Sequence, residues 1–421
     1  MPAVEQGSVS ATAGRAGGGM TTGMVALFAV ACGISVASLY YAQPLLPEIA
    51  RGFRVGSGTA GLIVTAAQIG YGIGLALVVP LGDILIRRRL VPGILLLAAL
   101  ALLAAAAAPT IDVLIASVAV AGACSVSAQI LVPFAATLAS PEQRGRVVGT
   151  VMSGLLIGIL LARTFSGLIA AVAGWRTVYA VAAVLVLLLS WLLLRRLPGE
   201  HARPSIAYGD LLASVVHLMR SEPLLRLRSL IGALAFATFN VVWTSLAFLL
   251  AGPPYHYGEA VIGLFGLLGA AGALAASFSG RLADRGLERW VTGGSLVLMT
   301  ASMALLAFGS HHLWALVVGI LVVDLAIQSV HIQNQQLIFG IDPAARSRLN
   351  TGYMVSYFIG GAVGSAATGA AYAAGGWPAV ILLGVGFSGA ALVLWLAATV
   401  VAGRTTGPGH GATGARQPTP A

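Results

Sequence analysis

The sequence predicts an all-α membrane protein: twelve transmembrane helices in two pseudo-symmetric six-helix bundles. Three observations lead there. Of the 421 residues, 58% are hydrophobic and only 9% are charged, with a mean hydropathy of +0.94, far short of the charged surface that a water-soluble domain carries. The apolar residues fall into runs of about 20, the length at which a helix crosses a bilayer. The alternating pattern of a membrane strand is absent. Landmarks also recur at one spacing: RGRVVGT at 144–150 with RSRLNTG at 346–352, and Gly174-Trp175 with Gly376-Trp377, both 202 apart, and Asp83 with Asp284, 201 apart.

The runs, in order, are 23–43, 59–81, 90–108, 112–138, 149–172, 176–195, 229–251, 259–281, 290–309, 313–338, 350–374 and 378–401. They divide into an N-terminal bundle at 22–195 and a C-terminal bundle at 229–402. Residues 1–21 read as a disordered tail without the basic start of a secretion signal, so the first run is expected to be retained as a helix. Residues 403–421 read as a second disordered tail. The linker 196–228 holds Pro198, Pro204 and Pro223 around the segment YGDLLASVVHLMR. Leu211, Leu212, Val215 and Leu218 share one side of that segment, as in an interfacial amphipathic helix. Cys32 and Cys124 lie within apolar runs and read as small buried hydrophobes.

All 23 basic residues are arginine. With both termini cytoplasmic, 19 of them fall in cytoplasmic loops and tails, the bias that sets membrane topology. Arg51, Arg54 and Arg176 lie outside and Arg163 lies within a span. The net charge of +10 is therefore a topology signal and not a nucleic-acid footprint. The chain is expected in a bacterial cytoplasmic (inner) membrane, as a monomer. It carries no Walker-type phosphate loop, zinc spacing or serine elbow. That leaves no sign of an enzyme or of a cofactor, with a proton gradient as the expected energy source.

Intramembrane charge is expensive and points to function. Asp324, in ILVVDLAIQSVHIQNQQ, is the one acidic residue in the middle of a span, and Arg163 the one arginine. Both lie about 15 Å from the outer end of their helices at 1.5 Å per residue, so an ion pair across the halves is geometrically open. Asp324, Gln328, His331 and Gln335 are spaced 4, 3 and 4 and so share one helix face. A carboxylate and an imidazole on one face can exchange protons. Asp324, Arg163 and His331 are the candidate proton-coupling residues.

Gly280-Arg281-Leu282-Ala283-Asp284-Arg285 and its first copy, with Leu81, Asp83, Arg87 and Arg88, resemble the loop motif of the major facilitator superfamily. The resemblance covers nearly all of 22–402. YYAQPLLPEIA, LGDILIRRR and GTVMSGLLIGILLARTFSG are also similar to bacterial sugar or multidrug efflux permeases. Two departures stand against the drug/proton antiporters of that group. Span four has no arginine, and Gly158 in span five is followed by Ile159 and not proline.

The resemblance implies a cytoplasmic gate formed by Asp83, Arg87, Arg88, Asp284 and Arg285, in which a carboxylate faces a helix N-terminus. It implies a cavity lined by Tyr40, Tyr41, Gln68, Tyr71, Gln129, Asn240, Trp243, Gln328, Tyr353 and Tyr357. Small residues mark close packing on spans two, five, eight and eleven (Gly70, Gly74, Gly154, Gly158, Gly263, Gly266, Gly269, Gly272, Gly360, Gly361 and Gly364), the spans that the resemblance implies meet across the halves; sliding between the halves and simple helix packing account for these glycines equally well. The expected function is proton-coupled export of a small amphipathic or polyhydroxylated solute by alternating access. Proton-linked uptake of a sugar or organic acid is the alternative, and a receptor or sensor that has lost transport is the reading from another class.

Overall fold

The computed structural model describes residues 20–199, 207–270, 288–343 and 345–405, with side chains to 401. Among them nine helices are long and apolar enough to cross a membrane. Two shorter apolar helices, Thr22–Ala37 and Glu259–Gly269, occupy the positions of spans one and eight. The expected bounds of span eight, 259–281, extend past residue 270 into residues outside the described set. The remaining spans are Ser57–Ile84 (two), Arg87–Ala106 (three), Ile111–Leu138 (four), Arg144–Ala173 (five), Trp175–Arg196 (six), Pro223–Ala251 (seven), Glu288–Ser310 (nine) and Leu313–Phe339 (ten). The last helix, Arg346–Thr405, breaks at Gly375 and Gly376 into spans eleven (346–374) and twelve (377–405). This layout is consistent with twelve spans. The expected tails lie almost wholly outside the described residues.

The internal repeat is physical. Arg144 opens span five and donates from Nε to the Ala136 carbonyl at the end of span four, 3.1 Å. Arg346 opens span eleven and donates to the Phe339 carbonyl at the end of span ten, 3.3 Å. In each half one arginine closes the C-terminus of the preceding helix, where unsatisfied carbonyls concentrate partial negative charge. Gly174 and Gly376 both adopt positive φ, +79° and +60°, a region costly for residues with a Cβ. Each turns the chain directly into a buried tryptophan, Trp175 or Trp377.

The glycines pack mainly within each bundle, which is the simple helix packing that the sequence left open. A Cβ on Gly154 or Gly158 would collide with the backbone of Ala29 or Gly33 on span one. One on Gly70 or Gly74 would strike Ala119 or Ala123 on span four, and one on Gly360 or Gly364 would strike Ala233 or Ala237 on span seven. These are close backbone approaches of the small-xxx-small kind, at one residue per helical turn. Gly361 packs on Phe236 and Asn240, also of its own half. Span eight is the exception, because Gly263 and Gly266 pack on Arg163 and Gly167 of span five. Gly272 lies outside the described residues.

The two halves meet on the side opposite the arginine-rich loops, the side that the charge bias of the sequence predicts to be the outer one. Gly58 and Gly61 of span two abut Gly369 of span eleven. Thr65 and Ser365 bring their hydroxyls to 2.9 Å, and Thr164 donates to the Gly263 carbonyl at 3.1 Å. Arg51, in the short helix Leu46–Phe53, pairs with Glu259 at 3.0 Å. The two halves are therefore closed against each other on that side. Between the halves a helix runs over Tyr208–Ser221. Tyr208 donates to the Leu77 carbonyl of span two, 2.6 Å, within the π-turn Gly74–Val78, while Val215 and Met219 reach Gly352 of span eleven.

Candidate substrate and proton site

Arg163 is the centre of the site. A Cβ on Gly266 would lie 2.7 Å from that of Arg163, so glycine there admits the side chain between the halves. Its guanidinium lies 3.9 Å from the ring centroid of Trp243, 4.6 Å from Tyr40 and 5.8 Å from Phe239. Desolvated cation–π contacts are worth about 2 kcal/mol. Arg163 also donates from Nε to Gln43 Oε1. Gln43 sits in a 3₁₀ turn, Gln43–Leu45, directly after span one.

Asp324 is equally buried, 4% exposed. Trp243 donates its indole N–H to Asp324 Oδ1 at 3.0 Å. The sequence left open a direct Asp324–Arg163 ion pair. Among the described residues none forms in this state, and Trp243 links the two, with its N–H on the carboxylate and its ring face on the guanidinium. Gly269 lines the other side of Asp324; a Cβ there would be 3.5 Å from Oδ2.

A second cluster lies deeper. Gln68 donates to Asn240 Oδ1 across the halves at 2.9 Å, and Gln129 donates to the Tyr71 hydroxyl at 3.1 Å. Tyr71 packs on Phe358 at 4.3 Å between centroids, and Tyr357 stacks on Phe236 at 4.0 Å. His331 shares a hydrogen bond with the Tyr353 hydroxyl, 3.0 Å, and lies 4.8 Å from the Tyr357 ring. His331 is thus engaged with span eleven, about 10 Å along the helix from Asp324, and not with the carboxylate itself. Gln335 donates to Asn350 at 3.1 Å, so the polar face of span ten turns toward protein. Gln328 is half-buried on it.

Other expected positions divide by role. Tyr40 is in the cage around Arg163. Tyr41 is buried and its carbonyl accepts from Ser166, 2.7 Å, a structural contact between spans one and five. Asp83 pairs with Arg87 at 3.5 Å. Arg87 also donates to the Gly82 carbonyl at 2.9 Å and lies over the Phe134 ring, so it ties the loop to spans three and four. Arg88 is exposed. Asp284 and Arg285 lie outside the described residues.

Sequence reasoning missed Gln43, Phe236 and Phe358. Gln43 had a signal: it is the one amide in YYAQPLLPEIA, at the end of an apolar span and ahead of Pro44. The two phenylalanines had none, because an aromatic residue in an apolar run looks like packing.

The Major Facilitator Superfamily model matches residues 24–340. The chain belongs to the major facilitator superfamily. Within it, the uncharacterized transporter YgaY of Escherichia coli O157:H7 is 50% identical over 376 residues, 89% of this chain and 95% of its own. The probable transporter SCO4007 of Streptomyces coelicolor is 35% identical, covering 89% of this chain and 86% of its own. A probable sugar efflux transporter of Helicobacter pylori is 24% identical over 77% of this chain and 81% of its own. Among solved structures, a mutant of the nucleoside transporter NupG superposes with a TM-score of 0.74 at 15% identity, over 89% of this chain and 99% of that one. At that identity the likeness concerns the all-helical superfamily fold.

Proposed function

We propose that this transporter is a proton-coupled secondary carrier that exports a small amphipathic or polyhydroxylated solute by alternating access. The observation that carries the reading is the linkage of Asp324 to Arg163 through Trp243 at the seam of the two halves. A proton added to Asp324 weakens its pull on the indole N–H, because a hydrogen bond to a charged acceptor is the stronger kind. The indole is then free to shift under Arg163, and Arg163 packs on Gly263 and Gly266 of the other bundle. Protonation thus bears directly on a contact that holds the outer side closed. The aromatic and amide cluster around Gln68, Asn240, Tyr71 and Tyr357 supplies ring faces and hydrogen-bond partners for a polyhydroxylated or amphipathic solute. The sugar-efflux name of the Helicobacter pylori relative supports the export direction.

Proton-linked uptake of a sugar or organic acid is the second reading. The observation in its favour is that Arg163 holds a full positive charge at the site without a carboxylate in direct contact. Oriented proteoliposomes test the coupling. Asp324→Asn is expected to abolish transport driven by a pH gradient while solute counterflow persists. Gradient dependence equal to wild type in that variant would sink the proposal.

A further inference from the structure

Two buried donors sit on residues that line a small void beside Trp243, and neither has a hydrogen-bond acceptor among the described residues. Arg163 Nη2 and Gln43 Nε2 are buried without a hydrogen-bond partner, on residues that are 3% and 2% exposed. Gln43 Oε1 is occupied by the Arg163 Nε–H, so the unsatisfied end of that amide is its NH₂ group. The void has a volume of about 10 Å³ and is lined by Gln43, Pro44, Arg163, Trp243, Leu246, Ala247 and Ile262. That is the space of one water-sized atom. Apart from the two donors and the indole, its walls are apolar. Leaving a charged donor buried and unsatisfied is strongly unfavourable. Two donors, one of them cationic, set in apolar walls make a site for an acceptor that is itself negative.

We infer that this void is an anion subsite that takes one monovalent acceptor atom: a free halide, or one oxygen of a carboxylate on the transported solute. The carboxylate form rests on the uptake reading above; the site itself rests on the geometry alone. Asp324 is the counter-charge on the far side of the indole. While it is ionised, it balances Arg163 across the ring. Once it is neutral, the anion becomes the counter-charge. Anion and proton therefore favour each other's binding, and such linkage is reciprocal. The other titratable groups near this pair are Tyr40, after span one, and Tyr357 on span eleven. The described part of span eight brings Gly263, Gly266, Gly269 and Ile262 there. An anionic solute bound in this way moves in the same direction as the proton, which is the proton-linked uptake reading and not export.

The test is a titration of the full-length protein in detergent with sodium chloride, sodium acetate and neutral acetamide, at ionic strength held constant with sulfate. The readouts are the unfolding temperature and tryptophan emission. A saturable rise of several degrees with chloride or acetate, and none with acetamide, is expected. Arg163→Gln should remove the response and Gln43→Leu should weaken it at least ten-fold. Asp324→Asn should strengthen it several-fold. Gln43→Glu places a carboxylate beside Arg163, so it should raise the unfolding temperature without added anion and abolish the response. This last variant keeps the test decisive if Arg163→Gln does not fold. A response to acetate without chloride assigns the site to a solute carboxylate, and the reverse assigns it to a free halide. Silence with both anions, an equal effect of acetamide, or a normal response in Gln43→Glu would overturn the inference, leaving a water-filled void. Anion binding with no gradient-driven transport would defeat the transport reading while the subsite stands.

Discussion

Trp243 uses both of its chemistries at once. Its N–H meets Asp324 and its ring face carries Arg163, so two charges that hydrocarbon penalises share one side chain. The two contributions can be separated. Trp243→Phe keeps a ring and removes the donor, and an intramembrane hydrogen bond is worth about 1 kcal/mol. Trp243→Leu also removes the face under the guanidinium and is expected to cost about 2 kcal/mol more. Unfolding in detergent compares the variants, and equal losses would mean that Arg163 draws nothing from the ring. Asp324 and Arg163 were legible from sequence because charge in an apolar run is conspicuous. Trp243 was legible only as a cavity candidate, since nothing local says that its two sides face opposite charges.

Helix pairs inside each bundle are set by backbone contact at glycine. Spans seven and eleven meet at Gly360 and Gly364, and spans one and five at Gly154 and Gly158. Both pairs use small residues four apart, which recur on the same helix face. Gly360→Ala places a methyl against the Ala233 carbonyl and is expected to cost about 1–3 kcal/mol by overpacking. Gly386→Ala, where the added atom meets nothing within 4 Å, should stay within about 0.5 kcal/mol. Thermal unfolding of the two variants checks the contrast. The glycines themselves were visible in the sequence. Which neighbour each one faces was not, because a helix wheel gives direction relative to its own axis and not to another helix.

At the scale of the whole molecule, the outer closure is distributed. The Arg51–Glu259 pair is an exposed one, with the arginine side chain 70% accessible, and such pairs are worth about 1 kcal/mol or less. The seam therefore depends on the close approaches at Gly58, Gly61, Gly263 and Gly266 and on the Thr65–Ser365 hydroxyl contact. Alternating access requires that seam to open. Thr65→Cys with Ser365→Cys, made with Cys32 and Cys124 replaced by alanine, should form a disulfide on oxidation and slow transport at least ten-fold, reversibly on reduction. Undiminished transport by the oxidised protein would show that the outer side does not open there.

The sequence by itself determined the apolar spans, the two-fold internal repeat, the charge bias of the loops and the identity of the two intramembrane charges. These follow from segment length, hydropathy and spacing, which are properties of the chain read locally. Tertiary structure alone decided that Trp243 stands between Asp324 and Arg163, that Gln43 joins the site from the turn after span one, and that most glycines pack inside their own bundle. Those contacts join residues 81 and 120 positions apart. They depend on how each helix is rotated against its neighbours, and a bilayer that rewards any apolar face equally leaves that rotation to side-chain packing.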